Sequence, residues 1–507
     1  FYALFAWEGL AFVAGLVMGW WDSLAAFQRE FFVDPSRLYW SGRLLTALCG
    51  AATIAAVAAG TARLSGRAAG LIAATIMAIT PIAVMDAHYV KHDVPVTLLI
   101  VLVHVILARM LMVDGPAFRR DVWMAGALSG LAISTHYYAI FVVLPVAATL
   151  LTKPGVLWPE RMRDGVRAGL AAIVIFFAAS PFLLPEIRTA WVDITQNRAI
   201  VMDRATAQAG WFPSLGTYLG LLRDFDVPVF LVAAVLLSYL VRGGRRRPLV
   251  LALFPVSFLL FISNTVPATR YLNPLLPFVA AAIGAGVLHI AVSFSGAWKW
   301  AAWVMLALTP FAFGLLTSVT VGTFFQQPDT RTLAQQWIEA QVPAGSTVLI
   351  QPYSVPLRQS REGLIEALRA TLGSEDRATV KFRQQLALAP YPAPAYRTIY
   401  LGDGGLDKDK IYVSPGAFTG HQTLAPLKAL GVQYVVLKRY NVADASLASL
   451  DEALASGGHL VATFSPYRSD ADPGRRAAVA PFLHNTDARF NAALERPGPV
   501  IEIWRID

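Results

Sequence analysis

The 507-residue sequence is 56% hydrophobic and 15% charged, whereas soluble globular proteins are about 45–50% apolar and about 25% charged. This composition excludes an ordinary soluble enzyme, a disordered chain and a secreted disulfide scaffold. The single cysteine, Cys49, cannot form an intrachain disulfide. The net charge of +9 lies largely in short basic clusters between apolar runs, a pattern that favours membrane topology and predicts no nucleic-acid partner.

Apolar runs fill the chain from its first residue to about residue 325. Because a helix of roughly 20 residues crosses a hydrocarbon core of about 30 Å, these runs predict a polytopic α-helical membrane protein with about ten or eleven membrane helices. Residues 1–21 are ambiguous, since Glu8 and the pair Trp20-Trp21 also fit an interfacial helix. The other candidate spans are residues 43–62, 69–87, 94–112, 122–134, 137–152, 168–184, 227–241, 249–263, 272–292 and 300–322.

Positive charge predicts how these spans are oriented. Basic clusters such as Arg119-Arg120 and Arg245-Arg246-Arg247 follow alternate spans, and loops rich in Lys and Arg face the cytoplasm. The opposite loops, residues 22–42, 88–93, 185–226 and 264–271, are therefore expected outside, together with the C-terminal region. For a bacterial chain this predicts a multi-pass protein of the cytoplasmic (inner) membrane.

The C-terminal region has the composition of a soluble protein. We predict a membrane domain over residues 1–325 and an extracytoplasmic α/β domain over residues 326–507, with strands near 347–351, 396–401, 433–437, 460–464 and 500–505. This region contains no phosphate-binding loop, no Cys/His set with metal-ligand spacing and no nucleophile elbow. Its pattern favours a lid or docking domain over a catalytic one.

The densest polar cluster lies in the short outer loop between two predicted spans. Residues 86–95 contain Asp86, His88, Lys91, His92 and Asp93, more titratable groups than so short a loop needs for solubility. Ionisable residues at membrane depth or at the ends of spans are expensive and are functional candidates. Asp93 could orient an acceptor, hold a metal or support a base; alternatively, it caps the helix that contains Pro95 in its first turn.

Two further polar clusters are predicted on the same outer side. His136 and Tyr137 follow Ser134-Thr135, where two short helices meet, although a lone histidine on an apolar face is more often a packing residue. Arg270 and Tyr271 precede the span at 272–292, where the arginine could bind a lipid phosphate or extend to the membrane interface. Three clusters on one side predict a cavity that opens outward.

The order and spacing of several motifs resemble bacterial glycosyltransferase family 39, which includes relatives of dolichyl-phosphate-mannose–protein mannosyltransferases and of lipid A aminoarabinose transferases. The motifs are Asp34-Pro35-Ser36, Gly66-Arg67-Ala68-Ala69-Gly70, Thr80-Pro81, His88-Tyr89, Asp93-Val94-Pro95, Ser134-Thr135, Arg270-Tyr271 and Asp329-Thr330-Arg331.

The resemblance implies a GT-C fold and transfer of a sugar from a polyprenyl-phosphate carrier, usually with inversion at the anomeric carbon. Matched residue by residue, it implies a catalytic role for Asp93 and His88, and lipid-phosphate binding by Arg270 and Tyr271. From their place in the outer polar clusters, Lys91, His92, His136 and Tyr137 are further candidates for binding substrate or lipid phosphate. Partners would be the polyprenyl-phosphate-linked sugar, a lipid, protein or glycan acceptor, membrane lipids and other proteins of a complex. A divalent metal ion is a candidate cofactor.

Two features depart from this family pattern. The family's acid in the first outer loop would lie before Phe1, and neither Glu8 nor Asp22 fits its motif. Many relatives have lysine where this chain has His136, so phosphate binding there is expected to depend on pH. Either that first segment lies upstream or the chain is a degenerate, non-catalytic subunit; a secondary transporter is a third alternative, although no internal repeat is found.

Overall fold

The chain forms two compact units, the first made of residues 1–20 and 36–321 and the second of residues 21–35 and most of 322–507. The computed structural model describes residues 2–112, 114–199, 202, 210–225, 246–293, 296, 314–404, 407–418, 423–440, 444–468, 479–482 and 491–506. The division lies near the predicted boundary at 325/326. However, residues 21–35, which the sequence placed in the membrane domain, group with the second unit.

The first unit is helical throughout its described part. Its helices are α1 (Tyr2–Val17), α3 (Ser36–Ser65), α4 (Arg67–Ile79), α5 (Pro81–Ala87), α6 (Asp93–Met110), α7 (Gly115–Thr135), α8 (Val143–Leu151), α9 (Trp158–Ala179), α10 (Ile187–Arg198), α11 (Leu215–Phe225), α12 (Arg246–Ile262) and α13 (Leu276–Ser293). Helix α2 (Leu24–Val33) belongs to the second unit. Short 3₁₀ turns at Tyr137–Val142 and Thr269–Leu272 precede α8 and α13.

Among the described residues, α3 and α6 are long and apolar enough to cross a membrane, and the bent pair α4–α5 would make a third span. The predicted spans at 43–62 and 94–112 fall within or largely on α3 and α6. The spans at 122–134, 137–152, 168–184, 249–263 and 272–292 coincide with shorter or less apolar helices. The span at 227–241 and part of that at 300–322 lie outside the described residues.

The predicted span at 69–87 is broken at Thr80-Pro81. Helices α4 and α5 meet there at 59°, because proline lacks the N–H of a continuing helix and disfavours helical geometry at the residue before it. Thr80 is extended, and its hydroxyl donates to the carbonyl of Ile76 at 2.8 Å. The break redirects the chain, and α5 then ends in the segment of residues 86–93, which is called the acidic loop below.

Helices α7 and α9 contact each other through two glycines spaced four residues apart. A methyl group on Gly126 or Gly130 would lie 2.2 Å from the carbonyl oxygen of Ala168 or Ala172, respectively. Small residues at this spacing let two membrane helices approach backbone to backbone. The two glycines of α7 therefore allow α7 and α9 to pack closely, and α7 leads directly into the turn at His136.

We expect the substitution Gly130→Ala to destabilise the protein by about 1–3 kcal/mol, because the backbone of α9 must move to admit the methyl group. The matched control is Gly169→Ala on α9, where nothing lies within 4 Å of the added carbon. The control should be neutral or stabilising by about 0.5–1 kcal/mol, since alanine favours a helix. Thermal unfolding of the purified protein in detergent measures both, and equal melting temperatures would contradict the packing argument.

The second unit is built on a six-stranded sheet with the order β3-β2-β1-β4-β6-β5. Its strands are β1 (Thr347–Ile350), β2 (Arg397–Leu401), β3 (Ile411–Val413), β4 (Tyr434–Arg439), β5 (Gly458–Phe464) and β6 (Val500–Ile506). Strands β1 to β4 are parallel, and β6 joins β4 and β5 in antiparallel register. The α/β domain is confirmed, and all five predicted strands are present; the short edge strand β3 is additional.

Helices cover both faces of this sheet: α14 (Thr330–Gln341), α15 (Arg361–Leu372), α16 (Val380–Leu386), α17 (Ala425–Ala429) and α18 (Ala448–Gly457). Because side chains alternate along a strand, Leu349 packs on the face that holds α18, whereas Val348 and Ile350 pack with α14. Helix α2 also belongs here. Arg29 donates to the carbonyl of Pro390 at 3.1 Å, and Arg358 donates to that of Val33 at 2.9 Å.

Candidate functional site

Two buried carboxylates stand at the two ends of the acidic loop. Asp86 is in the last turn of α5 and is 6% exposed; Asp93 begins α6 and is 1% exposed. The amide of Asn273 donates a hydrogen bond to Asp86. The first predicted polar cluster is therefore in direct contact with the segment that follows Arg270-Tyr271.

Asp93 has no hydrogen-bond partner for either carboxylate oxygen among the residues that the structure describes. The cap of α6 is His92, whose side chain makes no capping bond, and Pro95 lies in the first turn. The capping interpretation of Asp93 is therefore wrong, because a cap must accept a backbone N–H. The contact nearest to an ion pair is with His92, whose Nε2 lies 3.8 Å from Oδ1 of Asp93. A buried carboxyl group without a hydrogen bond costs stability, so Asp93 is a candidate for binding or chemistry.

The charges of Lys91 and Arg270 act on this carboxylate. Burial lowers the pKa of the Lys91 ammonium, as does the positive charge of Arg270, whereas Asp93 and Asp86 raise it. The four groups therefore share one electrostatic environment. The guanidinium of Arg270 also lies 5.2 Å from the ring centre of Tyr271. Two cations beside two carboxylates can hold an anionic group such as a phosphate while leaving one carboxylate available to a hydroxyl.

The second predicted cluster joins the first through stacked rings. The ring of His136 lies 4.4 Å from that of His92, 4.4 Å from that of Tyr137 and 3.9 Å from that of Tyr138. The Tyr138 hydroxyl is buried and has no hydrogen-bond partner within the described part of the chain. This cluster forms an aromatic wall beside the loop.

The structure corrects the expectation that His136 is partly charged at neutral pH. Burial, followed by the positive charges of His92 and Arg270, lowers the pKa of His136 to about 3. Its Nδ1 accepts a hydrogen bond from the backbone N–H of Tyr138 at 3.4 Å. A neutral imidazole supplies no charge to a phosphate, and only the other ring nitrogen of His136 is left to form a hydrogen bond with a ligand. Burial likewise lowers the pKa of His92.

His88 lies near the start of the acidic loop, whereas His92, whose ring contacts that of His136, lies near its end. His88 lines an apolar cavity. Its Nδ1 lies 2.7 Å from the carbonyl oxygen of Val84. The cavity has a volume of about 240 Å³ and is lined mainly by apolar residues of α3 to α6; its polar lining residues are Thr53, His88, Thr97 and Asn273. The catalytic role predicted for His88 stays a prediction.

The turn that presents Arg270 is fixed by residues that the sequence did not single out. The Tyr218 hydroxyl accepts the backbone N–H of Ala268 at 3.3 Å, and Ser214 donates to the carbonyl of Thr265 at 2.5 Å. Tyr218 is completely buried. Asp86, Tyr138 and Asn273 lie within the three predicted polar clusters but were not assigned a role of their own. Their place in those clusters was the signal that could have identified them.

The residues present do not match a three-ligand metal site. Across the described part of the chain, no group of three His, Cys, Asp or Glu side chains is placed to hold a metal ion. The divalent ion named from the sequence therefore stays a prediction.

Residues 34–184 match the sequence family described as dolichyl-phosphate-mannose-protein mannosyltransferase. This segment includes the acidic loop and His136. Among curated proteins, no sequence matches the chain.

Two solved membrane proteins share the fold. ArnT from Cupriavidus metallidurans, bound to undecaprenyl phosphate, is 15% identical with a TM-score of 0.50, over 87% of this chain and 84% of its own. The archaeal oligosaccharyltransferase AglB from Archaeoglobus fulgidus, in complex with an inhibitory peptide and a dolichol-phosphate, is 11% identical with a TM-score of 0.50, over 93% of this chain and 78% of its own. The chain therefore has the GT-C fold of polytopic membrane glycosyltransferases, and its residues 34–184 are similar to the protein mannosyltransferase family, as its motifs predicted.

Proposed function

We propose that this chain is a membrane glycosyltransferase that moves a sugar from a polyprenyl-phosphate donor to an acceptor hydroxyl. The observation that carries the proposal is Asp93: it is 1% exposed, and both carboxylate oxygens lack a hydrogen-bond partner among the described residues. It lies in the segment that matches the mannosyltransferase family. An acceptor hydroxyl would supply the missing hydrogen bond.

The chemistry assigns Asp93 the proton of the acceptor. As the acceptor oxygen attacks the anomeric carbon, its proton passes to the Asp93 carboxylate, and the bond between the anomeric carbon and the phosphate oxygen breaks. The products are the glycosylated acceptor and polyprenyl phosphate. Attack opposite to the leaving phosphate inverts the anomeric configuration.

Arg270 and Lys91 would stabilise the phosphate charge that develops on the leaving group. Fixed cations aimed at developing charge lower a barrier effectively because they need no reorganisation during the reaction. The two fold relatives were solved with undecaprenyl phosphate and with a dolichol-phosphate, which supports a lipid phosphate as the ligand. The small apolar lining of the cavity beside His88 is suited to part of the isoprenoid chain.

The proposal places the reaction at the outer face of the bacterial inner membrane, with the second unit extracytoplasmic. The alternating basic loops of the sequence support this orientation. The acceptor is a lipid, a protein or a glycan, and protein partners in a complex remain part of the proposal.

The direct test is transfer by the purified chain in liposomes that contain polyprenyl-phosphate sugars with a labelled glycosyl group. We expect the label to move from the polyprenyl-phosphate sugar to the acceptor only when acceptor is present, with equimolar release of polyprenyl phosphate. Absence of turnover over a panel of donor sugars and membrane-extract acceptors would contradict the proposal and favour a non-catalytic subunit.

A further inference from the structure

The sheet of the second unit has a topological switch point between β1 and β4. From β1 the parallel order runs to β2 and β3 on one side, and β4 pairs on the other side. In open α/β sheets, ligands bind in the crevice outside the carboxyl ends of the strands at such a point. Here the two strand ends lead to Tyr353 and to Tyr440.

Tyr353 has a strained backbone and an exposed ring. Its φ is +66°, in the left-handed region that residues other than glycine, asparagine and aspartate rarely adopt. The residue is 80% exposed. Its neighbour Ser354 is completely buried and donates to the carbonyl of Gln351 at 2.6 Å. The surrounding hydrogen bonds thus hold a large ring in water at a conformational cost, a pattern associated with binding sites.

Lys438 lies between the two tyrosines. Its ammonium is 5.3 Å from the ring centre of Tyr353 and 5.5 Å from that of Tyr440. The backbone N–H of Lys438 donates to the side-chain oxygen of Gln351 at 2.8 Å, which ties the two strand ends together. The three side chains therefore form one preorganised group.

The ammonium of Lys438 forms no ion pair with a carboxylate among the residues that the structure describes. Lys410 provides the contrast: it lies 4.9 Å from the ring centre of Tyr400, but it also pairs with Asp407 at 2.8 Å. Burial lowers the pKa of the Lys438 ammonium; Asp444 raises it and Arg331 lowers it. A half-buried cation that is not ion-paired gains more from an anionic ligand than a paired one does.

We propose that Tyr353, Lys438 and Tyr440 form a binding site for an anionic saccharide, one that carries a phosphate or a carboxylate. Tyrosine rings offer flat faces to the C–H face of a pyranose and hydroxyls to its oxygens, while the ammonium takes the anionic group. A dinucleotide fits less well, because the segment Gln351-Pro352-Tyr353-Ser354-Val355-Pro356 after β1 lacks the glycines that cradle a pyrophosphate. The site is independent of sugar transfer at Asp93.

The test is calorimetric binding to the full chain in detergent, with glucose 6-phosphate and trigalacturonate as anionic probes, and glucose and inorganic phosphate as their neutral and sugar-free controls. We expect at least one anionic saccharide to bind about tenfold more tightly than either control, since one charge-assisted contact is worth roughly that factor. Tyr353→Gly and Lys438→Gln should each weaken this binding about tenfold. Glycine accepts a φ of +66° without strain, so the Tyr353 variant should keep or raise its melting temperature.

Lys410→Gln is the matched control, since it removes a lysine that also lies over a tyrosine but is paired with Asp407. It should bind the probes as the unmodified protein does. Failure of both saccharides to bind would overturn the proposal. So would binding of inorganic phosphate as tight as that of the anionic saccharides, or unchanged saccharide binding in both Tyr353→Gly and Lys438→Gln. None of these results would bear on transfer from a lipid-linked donor, which is measured separately.

Discussion

Replacing Asp93 with asparagine is expected to lower kcat for sugar transfer about 10²- to 10⁴-fold, the range for loss of a positioned general base. Asparagine has nearly the same shape but cannot take a proton from the acceptor. Because both carboxylate oxygens lack a hydrogen-bond partner among the described residues, the change breaks no hydrogen bond there and removes only the 3.8 Å contact with the His92 ring. The melting temperature should therefore stay unchanged or rise, while activity is lost.

Asp164→Asn is the matched control for this variant. Asp164 is also buried, at 7% exposed, but it pairs with Arg167 at 2.6 Å. Removing a partner from such a pair should lower stability by about 1–3 kcal/mol and leave kcat near that of the unmodified protein. Initial rates with a lipid-linked donor, together with thermal unfolding, measure both variants. Unchanged kcat in Asp93→Asn would remove Asp93 from the catalytic role.

Much of the architecture could be predicted because apolarity and periodicity are local signals. The spans at 43–62 and 94–112 and the strands of the second unit follow directly from runs of apolar residues. The break within 69–87 carries its own signal, Thr80-Pro81, but the 59° bend there depends on how α4 and α5 pack. Likewise, β3 is only three residues long, too short to produce a recognisable pattern.

The candidate site could be predicted only in part, since side-chain partners depend on tertiary contacts. The sequence placed Lys91, Asp93 and Arg270 on one side of the membrane, and the structure brings these charges into one environment. It could not reveal that Asn273 hydrogen-bonds Asp86, which are 187 residues apart. Nor could it show that burial keeps His136 neutral, because a histidine in isolation has a pKa near 6.5.

The grouping of α2 with the second unit also has a physical reason that the sequence hides. The segment between α1 and α3 is mostly apolar but contains Asp22, Arg29, Glu30 and Asp34, and the sequence assigned most of it to an outer loop. Its arginine, Arg29, satisfies backbone carbonyls near Pro390, and Val33 in turn accepts a hydrogen bond from Arg358. Such long-range bonds between side chain and backbone have no local pattern. These hydrogen bonds make α2 part of the second unit, although residues 36–321 of the first unit separate it from the rest of the second unit in the sequence.

The second large effect is expected at Arg270. Arg270→Ala should lower kcat/KM for the lipid-linked donor about 10²- to 10³-fold, the usual cost of losing one donor that stabilises developing charge. Arg270→Lys should recover only part of this loss, because an ammonium keeps the charge but cannot bind two phosphate oxygens in the planar geometry of a guanidinium. The ring of Tyr271, 5.2 Å away, orients the arginine and also favours the planar group.

Product inhibition separates this role from a structural one. If Arg270 binds the leaving phosphate, the inhibition constant of polyprenyl phosphate should rise in Arg270→Ala and fall back partly in Arg270→Lys. Arg63→Ala is the control: Arg63 ends α3 and donates to the carbonyl of Ala59 at 3.0 Å, so its loss should leave both constants unchanged. A fall in kcat with an unaltered inhibition constant would mean that Arg270 supports the fold of the loop and does not contact the phosphate. The guanidinium would then be a positioning group for Asp93. Of the two cations, only Lys91 would stabilise the charge on the leaving group.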